Sequence, residues 1–265
     1  MDYQTKLIEI KNKEQEILRG LLIENKQASK IVICIHGFEA SGIAEKKFKI
    51  FSDELIKNNI ASLRFDFSAC GASDGNFEDV SVEKQTQEFA RILATIKEKY
   101  QDISVCAHSL GTCVLASFLK NNPNSDFRKI ILMAPALNQK VIIEYLYVLK
   151  TNPSNPDINW HNYHDFFNKT EFSKEIQQKT LTTKRNYIPQ KYLLENMDKN
   201  YSDIFKKLKL KNILHIHGDQ DKTAPLQILD YKFPNCIIVK KGDHHLERPD
   251  MMRQWLKPAL SFIIN

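Results

Sequence analysis

Ser109 stands at the apex of CAHSLGT (106–112), where an apolar run of strand length, ISVCAHS, gives way to the helical pattern LGTCVLASFL. A serine hydroxyl becomes an effective nucleophile only when a neighbouring base takes its proton. A tight strand-to-helix turn lifts that hydroxyl clear of a sheet and aims the first amides of the helix at whatever it attacks. Such a turn crowds its flanks, so small residues are needed two positions before and after the apex. Here they are Ala107 and Gly111, one methyl away from the pattern GxSxG. The chain contains only 8 glycines, and Gly37, Gly71, Gly75, Gly218 and Gly242 also fall at the ends of apolar runs. Glycine in such places serves a positive φ or a close approach, which marks these turns as the expected walls of a site.

Acyl transfer at Ser109 further needs an oxyanion hole, a base and a group that orients the base. The N–H of Leu110 directly follows the nucleophile, and the N–H of Phe38, in the turn IHGF, is the expected second donor. Of the 8 histidines, only His244 and His245 lie in a loop just after the last strand pattern. His36 and His108 are expected to shape their turns, while His161 and His164 fall in an insertion. His215 and His217 share one face of a strand pattern, but nothing nearby completes a metal-ligand set, so they are expected to pack. HIHGDQDKTAP offers Asp219 and Asp221 as the orienting acid, whereas Asp66 is expected to brace its own turn.

The elements that must carry these residues are legible as alternating periods. Apolar runs at 31–37, 61–67, 103–109, 129–136, 212–218 and 236–242 are separated by helical patterns, among them 47–59, 81–100 and a closing helix from Pro249. Short, wholly apolar strands alternating with helices imply a parallel sheet buried on both faces. TKLIEI and EILRGLLIEN read as two antiparallel strands that open the sheet. From about Leu137 to Leu208 the rhythm breaks, around the loop TNPSNPD, and a helical insertion over 138–205 within a single domain of 1–265 is expected.

The bulk numbers exclude several classes. With 42% hydrophobic and 26% charged residues the chain reads as an ordinary globular protein. Its net charge of +6 comes from scattered lysines, with no basic block of the kind that binds nucleic acid. Basic residues of the insertion (Lys140, Lys169, Lys174, Lys184, Arg185) are interleaved with acids, so no polyanionic partner is expected. No segment approaches the roughly 18 apolar residues of a membrane span. The 5 cysteines are odd in number, lie within apolar runs and form no CxxC pair, which predicts reduced, buried thiols and a cytoplasmic location.

Taken together, HGF (36–38), FDFSACGASDG (65–75), AHSLG (107–111), HGDQDKTAP (217–225) and GDHHLERPD (242–250) resemble, in order, the motifs of α/β-hydrolases with a short oxyanion loop. That group includes small esterases, thioesterases, monoacylglycerol lipases and serine-aminopeptidase-like proteins. The resemblance implies an α/β fold with a mostly parallel eight-stranded sheet, helices on both faces and a helical cap between strands 6 and 7. By similarity the family's acid falls on Asp221 and its histidine on His244, with Ser109 as nucleophile. Ser68 and Ala69 stand where the family often has Arg-Gly, and Thr112 where it often has glycine. The implied activity is hydrolysis of a carboxylic ester or thioester without metal or organic cofactor. A peptidase and a non-catalytic binding protein are the other readings. Tyr145, Trp160, Phe166 and Phe167 of the insertion are expected to contact an apolar or aromatic acyl group.

Overall fold

The computed structural model describes residues 2–177, 181–182 and 187–265, so Lys184 and Arg185 lie outside the described residues. The chain opens with β1 (Gln4–Lys11) and β2 (Ile17–Glu24), then β3 (Lys30–Ile35), α1 (Lys46–Lys57) and β4 (Ile60–Phe65). Next come α2 (Val82–Lys97), β5 (Asp102–His108), α3 (Gly111–Asn121) and β6 (Ile130–Met133). The segment that follows forms α4 (Gln139–Thr151), α5 (Lys169–Ile176), a two-residue pair β7 (Leu181–Thr182) and β8 (Tyr187–Ile188), α6 (Gln190–Asn196) and α7 (Ser202–Leu208). The fold closes with β9 (Ile213–Gly218), β10 (Asn235–Val239) and α8 (Pro249–Ile264).

Eight strands make one sheet in the order β1-β2-β4-β3-β5-β6-β9-β10. β2 is antiparallel to both β1 and β4, and every pairing from β4 to β10 is parallel. Side chains alternate across the sheet, as a strand requires. Ile31, Ile33 and Ile35 face one apolar cluster with Phe89 of α2 and Val114 of α3. Val32 and Cys34 face the other, with Phe51 of α1 and Trp255 of α8. The chain passes from β3 outward to β4 and then back across to β5, so the sheet changes direction of winding beside β3. Loops at the carboxyl ends of β3 and β5 therefore diverge and leave a crevice between them.

Two expectations are corrected at the sheet edge. The run CIIVKKG is not an internal strand buried on both faces: among the described strands β10 pairs with β9 alone, and its Asn235, Cys236 and Ile238 are exposed. Cys236 on the same edge strand is exposed, while Cys34, Cys70, Cys106 and Cys113 are buried, and all five are free thiols. An edge strand of a parallel sheet can read as apolar as an internal one, so composition does not separate them.

The segment between β6 and β9 is held to the rest of the fold by polar as well as apolar contacts. Glu195 of α6 accepts hydrogen bonds from the N–H groups of Val82 and Glu83, each 2.7 Å, at the start of α2. A carboxylate suits that position because the first-turn amides of a helix lack intrahelical acceptors.

Candidate active site

The turn between β5 and α3 holds Ser109 at φ +50°, a left-handed conformation unfavourable for a residue with a Cβ. Strain of this kind costs on the order of 1–3 kcal/mol and must be over-determined by its surroundings. Here the serine N–H donates to the Met133 carbonyl at 3.0 Å, and the serine carbonyl accepts from Thr112 N–H at 3.0 Å and Thr112 Oγ1 at 2.6 Å. The Thr112 hydroxyl thus adds to the turn a second bond that a glycine at that position could not make. A Cβ on Gly111 would sit 2.6 Å from the carbonyl oxygens of both Ile35 and His36, so α3 rests directly on the β3 backbone. Gly111→Ala is therefore expected to cost about 1–3 kcal/mol by overpacking, read as a lower urea midpoint with an unchanged slope.

His244, in the loop after β10, brings Nε2 to 2.8 Å from Ser109 Oγ and Nδ1 to 2.8 Å from Asp221 Oδ2. Asp221, in the loop after β9, has a fully buried side chain. Its other oxygen, Oδ1, accepts from the N–H groups of Thr223 at 2.8 Å and Ala224 at 2.9 Å. Burial alone works to raise the Asp221 pKa, but hydrogen bonds from His217 and His244 outweigh it and hold the group well below the usual carboxylate range. The alternatives lie off this line. Asp219 is exposed and accepts from Gly242 N–H at 3.2 Å, and His245 is exposed, its own N–H bound to Asp243 at 3.0 Å.

Two further histidines hold the loops that converge here. His36 Nε2 accepts from Phe67 N–H at 2.9 Å, so its ring hydrogen is on Nδ1, which donates to the Gly37 carbonyl at 2.7 Å. That carbonyl belongs to the same planar trans peptide as the Phe38 N–H, so fixing one fixes the direction of the other. Among the described residues, neither Phe38 N–H nor Leu110 N–H has an acceptor. His108 Nε2 donates to the His244 carbonyl at 2.9 Å, and burial, with Lys47 nearby, pushes its pKa down to about 4. Beneath it the fully buried Lys47 bridges Glu45 at 3.0 Å and Glu247 at 3.3 Å, tying α1 to the segment that follows His244. In the sequence, IAEKKF looks like an ordinary solvated face, and nothing in it signals this burial.

Ser109 Oγ opens into a cavity of about 810 Å³ lined by Phe38, Leu110, His244, Tyr145 and Trp160 among others. Tyr145 and Trp160 stack with centroids 3.8 Å apart at 26°. Trp160 Nε1 also donates to the Lys222 carbonyl at 2.8 Å, joining the insertion to the loop that carries Asp221. Phe166 and Phe167 are not brought to the cavity. Phe166 ends a 3₁₀ turn and is 38% exposed, and Phe167 packs on Phe172 with centroids 5.3 Å apart. Sequence reasoning missed Ile142, Ile143, Leu146 and Leu149, which line the cavity from α4, while Tyr147 and Val148 are buried away from it. The signal was available: VIIEYLYVL is apolar nearly all round, and such a helix needs two apolar environments. Among the described residues, no group of three or more His, Cys, Asp or Glu is placed to hold a metal ion, and no helix is long and apolar enough to cross a membrane.

A profile of the family described as serine aminopeptidase, S33, matches residues 26–227. A search of curated protein sequences finds no match. Among solved structures, Est1E from Butyrivibrio proteoclasticus with ferulic acid bound superposes at a TM-score of 0.75 and 18% identity, covering 97% of this chain and 98% of that one. The esterase Pf2001 of Pyrococcus furiosus gives a TM-score of 0.66 at 18% identity, over 99% of this chain and 91% of that one. Mouse alpha/beta hydrolase domain-containing protein 10 gives 0.65 at 20% identity, over 98% of both chains.

Proposed function

The chain belongs to the serine aminopeptidase (S33) family of α/β hydrolases, and we propose that it hydrolyses carboxylic esters or thioesters of an apolar or aromatic acyl group. Ser109, His244 and Asp221 are the catalytic residues in this reading. The observation that carries it is the pair of 2.8 Å contacts from Ser109 through His244 to Asp221, at the mouth of a large apolar cavity.

In the proposed mechanism, His244 Nε2 takes the Ser109 proton as Oγ bonds to the acyl carbon. The carbonyl electron pair moves onto oxygen, which the N–H groups of Phe38 and Leu110 receive. The tetrahedral intermediate collapses as His244 returns the proton to the leaving oxygen or sulfur. Water, deprotonated by the same imidazole, then attacks the acyl-enzyme and releases the acid and free Ser109. Asp221 stays ionised throughout and stabilises the imidazolium that forms twice per cycle. A lost oxyanion donor costs about 10²–10³ in turnover in comparable sites.

The stacked Tyr145 and Trp160, with the aliphatic face of α4, favour an acyl group of low polarity over a small charged one. Ferulic acid bound to Est1E supplies a precedent for an aromatic acyl group in this fold. The free buried thiols support a reducing, cytoplasmic setting as part of the same proposal. The family's description favours a peptidase as the second reading. One experiment separates them: intact-mass labelling with a fluorophosphonate, followed by a panel of alkanoyl, cinnamoyl and thioester substrates beside aminoacyl anilides. A single adduct with turnover of esters or thioesters above anilides is expected. The reverse order makes the chain a peptidase, and no adduct with no turnover makes it a binding protein.

A further inference from the structure

His215 and His217 are both buried, and their rings lie behind Asp221 on one face of β9. Four polar contacts join them into a chain. Cys236 Sγ lies 3.4 Å from His215 Nδ1, and His215 Nε2 lies 3.0 Å from His217 Nδ1. His217 Nε2 in turn lies 2.8 Å from the Ala224 carbonyl and 3.3 Å from Asp221 Oδ2. A carbonyl oxygen only accepts, so His217 Nε2 carries the ring hydrogen and, in the neutral ring, Nδ1 is an acceptor. His215 must then donate from Nε2, which leaves its Nδ1 to accept from the Cys236 thiol. Burial and the neighbouring His217 push the His215 pKa down to about 3, so this ring stays neutral around pH 7. The tautomer of each ring is thus dictated by the next, in one direction, ending at the carboxylate.

We propose that His217, with its tautomer locked by His215, is a positioning residue that fixes the rotation of the Asp221 carboxylate so that Oδ2 faces His244. The inference rests on the hydrolase reading above. Among the described residues, Oδ1 of Asp221 is anchored to two backbone N–H groups of its own turn, those of Thr223 and Ala224. His217 Nε2 donates to the Ala224 carbonyl at 2.8 Å and stands 3.3 Å from Oδ2, so it holds that turn and faces the carboxylate from the rigid strand β9. Without it the carboxylate pivots about Oδ1 and its contact with His244 loosens. A looser contact stabilises the His244 imidazolium less. The groups facing His244 are Ser109, Asp221, and the rings of His108 and His245, with centroids 5.1 and 5.9 Å away. Those facing His217 are Asp221 and His215, with Cys236 beyond.

The test compares wild type, His217→Phe and His217→Gln on the best ester of the panel, with kcat and KM measured against pH per fluorophosphonate-titrated site. Phenylalanine keeps the ring and removes the donor. Glutamine restores an N–H at the same number of bonds from Cβ. His217→Phe is expected to lower kcat about tenfold to a hundredfold, the scale of a small misplacement in a catalytic array, with KM little changed. Its acidic limb is expected to move to lower pH, and His217→Gln to recover most of both. Should the phenylalanine variant fail to fold, His215→Leu, which leaves His217 in place but frees its Nδ1, is expected to shift kcat and the acidic limb in the same direction. Wild-type kcat and acidic limb in the phenylalanine variant, or no recovery with glutamine, overturns the positioning role alone. A wild type that neither labels nor turns over the panel overturns the hydrolase reading, and this inference with it.

Discussion

Ser109→Ala is expected to lower kcat on the best ester about a millionfold and to abolish the fluorophosphonate adduct, while the protein stays folded. The size follows from the way a nucleophile and its base act as a unit: removing the serine forfeits the covalent route, and only substrate binding and oxyanion stabilisation remain. The fold survives because alanine keeps the Cβ, and none of the bonds that hold the turn uses Oγ. Ser109 is fixed through its backbone by Met133 and Thr112. The φ of +50° is as unfavourable for alanine as for serine, so the two should melt at similar temperatures. Ser109→Gly supplies an internal check on the strain. It is equally inactive, yet glycine accepts a positive φ freely, so its melting temperature should lie at or above that of the alanine variant. Continued turnover or labelling in the alanine variant would show that another group is the nucleophile.

Most of what positions this site was written in local pattern. The β-branched run 31–35 and the run 103–108 are strands because each has to fill two apolar clusters at once, and a period of two does that. The elbow was legible because Ala107 and Gly111 are small for a reason that geometry supplies: a Cβ at 111 meets two carbonyl oxygens. The choice of Asp221 over Asp219 came from similarity, and it stands as part of the proposal. Residue 221 turns inward to collect two backbone N–H groups, whereas Asp219 collects one at the surface. What stayed hidden depends on contacts between distant segments. Lys47 looks solvated until Glu45 and Glu247 close over it. His217 looks like filling until Ala224 and Asp221 fold back onto its strand. Phe166 and Phe167 had the right composition for a cavity wall, but a 3₁₀ turn sends one to solvent and the other between α4 and α5. Aromatic content shows that an insertion can line a cleft; only the backbone path decides which rings do.

Asp221→Asn is expected to lower kcat about ten-thousandfold, the scale of the wrong-tautomer effect in serine hydrolases of other folds. Here the surrounding donors dictate which way the amide lies. Thr223 and Ala224 both point N–H groups at Oδ1, at 2.8 and 2.9 Å, and outweigh the single, longer approach of His217 Nε2 to Oδ2 at 3.3 Å, so the Oδ1 position holds the amide oxygen. The NH₂ group then occupies the place of Oδ2, 2.8 Å from His244 Nδ1. A donor there forces Nδ1 to accept, which moves the ring hydrogen to Nε2, and Nε2 can no longer take the Ser109 proton. KM should change little, because the cavity walls are untouched, and the rate of fluorophosphonate labelling should fall with kcat. Stability carries a second signature. The folded-state pKa of Asp221 is depressed, so its contribution is full well above an ordinary aspartate's value of about 3.9 and is lost as pH falls through the folded value. The asparagine variant should therefore melt below wild type at neutral pH, and the gap should narrow progressively as the pH is lowered below about 4. An Asp221→Asn protein that labels at the wild-type rate would mean that His244 keeps its tautomer without the carboxylate, and that the amide has found an orientation the two backbone donors ought to forbid.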